Sequence, residues 1–386
     1  MRILLTGARA PVALDLARRL TKAGHHVHLA DSLRYGCAAL SRFKESMTRL
    51  PRPVEGPRAY LQAVNETIRK LAIDLVIPTC EEVFFLGRFK DQVACECLID
   101  DFEVLNRIHN KYDFTQTVNH PSVQAPETHL LQRDRDVSRF MDESEDWVFK
   151  PVYSRFASET QVGPNSKKLK RLKISPTKTW VAQRRIRGRE LATWGLAKQG
   201  TLLAYSCYYA AHRVAGSSGI YFQDWADSRI IDFVRDYVAR MKYTGQIAFD
   251  LILDSEDHLW VLEGNPRSTS GLHRFPDDSD LSDRFTGSTA ELVDEELLIG
   301  QRDRPQMVAI AMMLWASRQC LLAGRPGQFF RDFRNAEDVV WSREDWMPTL
   351  GLPLSIAELV GISVRHWKTL PQATTYDIEW NGEPID

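Results

Sequence analysis

Several things are scarce in this chain of 386 residues, and each scarcity excludes a class of protein. Cysteine is scarce: Cys37, Cys80, Cys95, Cys97, Cys207 and Cys320 are irregularly spaced, with no histidine cluster beside them. That argues against a disulfide frame or a zinc site and for a reduced, cytoplasmic setting. Excess charge is missing, since 50 Lys and Arg stand against 51 Asp and Glu, and no global field draws in nucleic acid or anionic lipid. Long hydrophobic runs are missing too. The longest, 307–316, is far short of the ~20 residues a membrane span needs. Arg9, Asp15, Arg18 and Arg19 interrupt the N-terminal apolar stretch, so it does not read as a signal peptide. There is no internal repeat, no low-complexity segment and no long Gly/Ser linker. With hydrophobic residues at 44% and charged residues at 26%, wholesale disorder is excluded. A chain of this length holds two or three domains at ~100–200 residues each. Neither a nucleic-acid partner nor a membrane is expected, and composition fixes no oligomeric state.

What is present begins with alternating strand and helix patterns. Ile3, Leu4 and Leu5 form a short apolar run, Thr6-Gly7 a turn, and 12–20 repeats apolar residues at helical spacing. A second strand, 27–30, ends at Asp31; a helical stretch, 60–71, precedes the buried-strand run 75–77. Such βα alternation predicts a parallel sheet with helices on its faces, here over 1–108. A helical linker follows at 110–118. From 147 to about 206 the pattern is short strands around a polar stretch, which suggests a small lid-like α+β domain within 109–206. Strands and one amphipathic helix, 230–242, are expected over 207–290. The remainder, 291–386, reads as an α+β extension with a helix at 307–322 and a strand at 376–380. Trp341, Trp346 and that strand are expected in its core.

The stretch 245–273 carries the chemistry. Two apolar runs, 247–253 and 259–263, flank the polar turn Ser255-Glu256-Asp257-His258, which predicts a β-hairpin. If the hairpin is centred between Glu256 and Asp257, Asp250 lies opposite Glu263 and Ala248 opposite Asn265. Alternation then puts Asp250, Glu263 and Asn265 on one face. Two carboxylates facing each other repel, and a divalent cation removes the repulsion; hard oxygen ligands at this spacing suit Mg²⁺. A solvent-facing strand with two acids by chance is the plain alternative. Arg267, two residues on, reaches the same place and could stabilise charge on a transferring phosphoryl group. The turn from Ser268 through Ser270 to Gly271 offers hydroxyl and N–H donors.

At Asp250 and Glu263-Gly-Asn265-Pro-Arg267 the chain resembles the ATP-grasp superfamily, best its carbamoyl-phosphate synthetase and biotin carboxylase branch. The resemblance covers about 109–275. It implies a Rossmann-like N-terminal domain followed by an ATP-grasp fold, with a small lid domain, a larger antiparallel-sheet domain and a C-terminal extension. It also implies ATP and Mg²⁺ as cofactors, and an ADP-forming ligase that joins a small carboxylic acid to an amine, amino acids among them. The alternative is a regulatory ATP-binding module acting through nucleotide-driven closure. On the same resemblance Lys111 and Lys150 contact nucleotide phosphates. The backbone of Gln183, Arg184, Arg185 and Ile186 meets adenine, and Glu190 takes the ribose. Two departures stand out. Gln183 replaces a common Glu, and the lid loop, Tyr153 to Ser158, lacks glycine, leaving Ser154, Arg155 and Ser158 to compensate with side chains.

Other features have two readings each. Gly7 and Asp31 suggest a nicotinamide site, but the rest of the G-x-G-x-x-G fingerprint is missing, so an anion site or a structural turn competes. Glu81 and Glu82, beyond a parallel strand, could meet an ammonium group or complement a helix N-terminus. Arg213 and His273 are further substrate-side candidates, each with a structural alternative. Cys80 reads as a small buried residue, and the basic run 167–173 as a solvated lid edge.

Overall fold

The computed structural model describes residues 1–155, 159–214, 218–287 and 296–386. Its architecture is mixed α/β, built on one parallel and two largely antiparallel sheets. Strands β1 (Arg2–Thr6), β2 (His26–Asp31), β3 (Ser46–Arg49), β4 (Leu75–Ile77) and β5 (Glu96–Cys97) form the first, in the order β3-β2-β1-β4-β5, all parallel. Helices Pro11–Lys22 and Pro57–Leu71 connect its strands, as the alternation predicted. Gly7 turns the chain out of β1 at φ +76°. A side chain there would meet Thr79 Oγ1 at 2.4 Å, so the turn admits only glycine.

After β6 (Val123–Gln124), the strands β7 (Thr128–Leu131), β8 (Trp147–Pro151), β9 (Gln161–Val162) and β10 (Trp180–Arg184) make a small sheet in the order β7-β10-β8-β9. It has its own core of Leu131, Phe140, Trp147, Phe149, Leu169 and Trp180. Three residues later the chain enters a nine-stranded sheet through β11 (Gly188–Lys198) and β12 (Thr201–Val214), followed by β13 (Ser218–Asp224), β14 (Gly245–Asp254) and β15 (Leu259–Asn265). Short strands β16 (Leu298–Ile299), β17 (Gln306–Met307) and β18 (Glu337–Asp338) extend it, and β6 pairs with β15. The sheets therefore change at 185–187, and residue 206 lies inside β12. Gly188 is needed at the entry, because a Cβ there would sit 2.1 Å from the carbonyl oxygen of Leu253. The largest core is shared by the first sheet and the nine-stranded one: Phe84, Phe85 and Leu105 pack in it with Phe233, Tyr237 and Phe249.

The last hundred residues depart most from expectation. The stretch 376–380 is not a strand; it turns back on the first module, where Trp380 packs against Phe84, Phe102 and Tyr153. Trp341 and Trp346 are exposed rather than core. The expected helix at 307–322 begins after β17 and includes a π-helical turn, Met312–Ala316. Sequence reasoning missed the 20-residue helix Met347–His366, which is long and apolar enough, by length and composition, to cross a membrane. It lies against the first module instead. Gly351 meets Leu40, and Glu358 accepts the N–H groups of Arg34 (3.0 Å) and Tyr35 (2.8 Å). Its other face, including Leu350, Leu354, Val360 and Val364, is exposed.

Candidate functional site

The predicted hairpin forms, and Asp250 pairs with Glu263 and Ala248 with Asn265, as the spacing requires. The agreement hides a compensation. Nearer the turn the pairs are Leu251 with Val261 and Leu253 with Leu259, one residue out of step, and a β-bulge after Asp250 restores the register. The bulged residue Leu262 turns its carbonyl toward Gln183, whose amide also reaches Thr128. Gln183 thus ties the small sheet to the hairpin.

Two lysines from separate elements converge on this hairpin. Lys111 opens the helix Lys111–Thr117, capped by the Asn110 side chain; Lys150 lies on β8. Both are buried, and their Nζ atoms lie 3.7 and 3.6 Å from Glu263 Oε2. Lys111 also donates to the carbonyl of Ser154 at 3.1 Å. Asn265 donates to Asp250 at 3.1 Å and accepts from Arg267 at 3.1 Å. Burial raises the pKa of Asp250 and the neighbouring Glu263 raises it further. The two lysines outweigh burial at Glu263 and hold it low. The acidic pair therefore takes up a proton more readily at Asp250 than a free carboxylate does, and a cation would compete with that proton. Burial and the like charge of Lys111 lower Lys150, with Glu263 opposing.

Glu81 links the modules. It is fully buried at the start of the helix Glu82–Arg88, and its Oε1 lies 2.7 Å from Arg155 Nε and 3.4 Å from Arg267 Nε. One carboxylate of the first module thus receives a guanidinium from Arg155, just beyond β8, and another from Arg267, just beyond β15. Glu81 Oε2, His109 Nε2 and Ser268 Oγ are buried without a hydrogen-bond partner among the described residues. Three such atoms leave hydrogen-bonding capacity that a water, an ion or a polar ligand would satisfy. His109, which the sequence reading did not single out, is held neutral by burial and by the nearby Lys111 and Arg267. The signal available for it was its place immediately before the Asn110 cap.

Other candidates are engaged elsewhere. Glu82 holds the turn beyond β4, accepting from Thr6 Oγ1 (2.7 Å) and from the N–H groups of Thr79 and Cys80. His273 bonds Asp15 at 2.7 Å on the first helix, a structural contact between modules, and Ser270 opens the short turn Ser270–Arg274 that carries it. Glu190 is exposed and pairs with Arg213 at 3.0 Å, both on the nine-stranded sheet. The N–H groups of Arg184 and Arg185 donate to the carbonyls of Glu127 and Asp146. Asp31 grips Arg9 and the Leu33 N–H rather than standing open for a ribose. Cys80 is buried and its thiol pushed up to about 12 by burial. The run 167–173 is exposed except for Leu169 and Leu172, which pack on the small sheet's core. Ser158 lies outside the described residues.

The donor set fits a hard divalent cation. Asp250 and Glu263 offer carboxylate oxygens and Asn265 an amide oxygen that Arg267 now holds, with no cluster of three or more His, Cys, Asp and Glu among the described residues. A nucleotide's phosphates would complete such a shell.

No protein-family model matches the sequence, and no curated protein matches it significantly. Solved structures do match. An L-amino acid ligase from Bacillus licheniformis is 19% identical with a TM-score of 0.60, over 79% of this chain and 78% of that one. An N5-carboxyaminoimidazole ribonucleotide synthetase in complex with ADP is 12% identical with a TM-score of 0.60, over 83% and 85%. The biotin carboxylase domain of Hydrogenobacter thermophilus 2-oxoglutarate carboxylase, with MgADP and bicarbonate, is 11% identical with a TM-score of 0.59, over 77% and 70%. With the hairpin, the two lysines and the small sheet disposed as described, the chain has the ATP-grasp fold.

Proposed function

We propose that this protein is an ATP-dependent carboxylate–amine ligase. The observation that carries the reading is the convergence of Lys111 and Lys150, from separate elements, on a Glu263 that faces Asp250, with Arg267 beside them. In this reading the first parallel sheet is a Rossmann-like substrate-side domain over 1–108. The lid lies within 109–206, up to the change of sheets at 185–187, the metal site is in 207–290, and 291–386 is an extension. Lys111 and Lys150 hold phosphate oxygens of ATP, and Ser154 and Arg155 close over them from the lid loop. Gln183, Arg184, Arg185 and Ile186 line the adenine edge. With two of their N–H groups engaged, Ile186 and the carbonyl groups do the reading. Glu190 takes the ribose once Arg213 releases it.

A substrate carboxylate oxygen attacks the γ-phosphorus, the bond to ADP breaks, and an acyl phosphate forms. The amine then attacks the acyl carbon, phosphate leaves, and the amine's proton passes to solvent or to a buried base. Arg267 stabilises the charge that builds on the transferring group. Glu81, with its unpartnered Oε2, receives the acceptor's ammonium group. Mg²⁺ held by Asp250, Glu263 and Asn265 would supply Lewis-acid stabilisation of the phosphate oxygens.

The test is incubation with Mg-ATP and pooled amino acids and carboxylic acids, reading ADP and product masses. A product equal to two pool members minus water, with ADP, is expected. Glu263→Gln should lower ADP formation on the order of 10²-fold or more. Unchanged turnover in that variant overturns the site. ATP binding with no ADP under any condition favours the regulatory module instead.

A further inference from the structure

Away from that site, a cavity of about 220 Å³ opens between the first sheet and the Met347–His366 helix. Arg49 at the end of β3, Arg52 just beyond it and Arg365 on the helix all line it, with Ser32, Glu358 and Ile362. It sits outside the carboxyl ends of β2 and β3, where parallel sheets take ligands.

The charges around it do not cancel. Arg49 donates only Nε to the protein, to the carbonyl of Ser32 at 3.3 Å. Arg365 has neither an ion pair nor a hydrogen bond among the described residues. Arg52 pairs with an exposed Glu55 at 2.8 Å. Glu358 is the one acid in the wall, and its two oxygens already accept backbone N–H groups from Arg34 and Tyr35. Arg365 is conspicuous on its helix, whose only other charge-bearing side chains are Glu358 and His366. Glu358, Ile362 and Arg365 follow at i, i+4 and i+7, on one face, so the guanidinium is aimed into the cavity rather than onto the exposed apolar face. Like charges gathered around a void repel unless an anion lies between them, and guanidinium forks match phosphoryl oxygens two at a time. At about 220 Å³ the cavity has room for a phosphoryl group with a small attachment.

We propose that this cavity binds a phosphoryl group through Arg49, Arg52 and Arg365, either as free phosphate or as the monoester of a small molecule. It shares no residue with the ATP site, so it stands or falls separately from the ligase reading. Calorimetric titration of the full chain with inorganic phosphate and with phenyl phosphate, at constant ionic strength, tests it. Saturable binding is expected in the wild type, weakened about tenfold or more by Arg49→Ala with Arg365→Ala, and retained in Lys150→Ala, which disables phosphate binding at the nucleotide site. Both arginines are exposed, so the fold should survive; Arg365→Lys, which keeps the charge without the fork, should lose less. Tighter binding of phenyl phosphate assigns a monoester, and equal or tighter binding of phosphate assigns the free ion. No saturable binding in the wild type overturns the proposal. So does wild-type affinity in the double arginine variant, or loss of binding in Lys150→Ala alone.

Discussion

Asp250 is buried, faces a second carboxylate, and has its pKa raised by both circumstances. A carboxyl group with a raised folded-state pKa binds more protons folded than unfolded once pH passes the ordinary carboxylate value. Its contribution to stability therefore falls as pH rises through the window up to its folded pKa, and stays lost above it. Asp250→Asn removes that penalty. The variant's melting temperature should exceed the wild type's by more at about pH 8 than at about pH 5. Adding Mg²⁺ to the wild type should narrow the gap, because a cation stabilises the ionised pair. A thermal melt series at several pH values, with and without Mg²⁺, checks both; a pH-independent difference would contradict the assignment. At this scale much was legible. Strand alternation and a four-residue turn were enough to bring Asp250, Glu263 and Asn265 together. The bulge at Leu262 was not legible, because nothing in the apolar run 259–263 distinguishes a regular strand from one with an extra residue. Nor was the use of Glu81 as a bridge, since both guanidinium groups reach it from distant segments.

Elements with strong local periodicity were read correctly. The helices Pro57–Leu71 and Ser228–Met241 and the strands β1, β2 and β4 depend mainly on their own pattern, whereas the edge strands β3 and β5 were not anticipated. Where a long-range partner decides the outcome, the pattern misled. Tyr376, Ile378 and Trp380 alternate as a strand would, yet no strand is there to pair with them. Trp380 instead enters a nest of Phe84, Phe102 and Tyr153, and its indole N–H donates to the carbonyl of Glu383. Trp380→Ala should therefore destabilise the first module by ~3–5 kcal/mol, read by chemical denaturation with the fluorescence of the remaining tryptophans. A loss under about 1 kcal/mol would mean the tail is dispensable to the fold. The Met347–His366 helix escaped notice for a related reason. Gly351, Pro353, Ser355 and Glu358 interrupt any unbroken apolar run, but three of them are the contacts by which it docks on its neighbour.

At the scale of the whole molecule, two cores matter more than three sheets. The first sheet and the nine-stranded sheet share a core that divides into two clusters, whereas the small sheet has its own and connects through 185–187 to β11. A unit with a separate core can turn about that connection without opening the larger one. Mg-ATP, bridging Lys150 of the small sheet and Asp250 of the large one, should fix their relation. Hydrogen exchange in β7, β8 and β10 should slow on adding Mg-ATP while that in β1 and β2 changes little. Exchange unaltered in the small sheet would argue against nucleotide bridging the two units. The fold joins the chain's ends as well. Arg9 is buried between Asp31 and Asp377, a partner 368 positions later in the sequence. During synthesis the first module must wait for residue 377 to emerge before that guanidinium has both its counter-ions. A chain interrupted before residue 377 would carry an incomplete ion cluster at the heart of its first module, so that module's integrity reports on residues made 368 positions later.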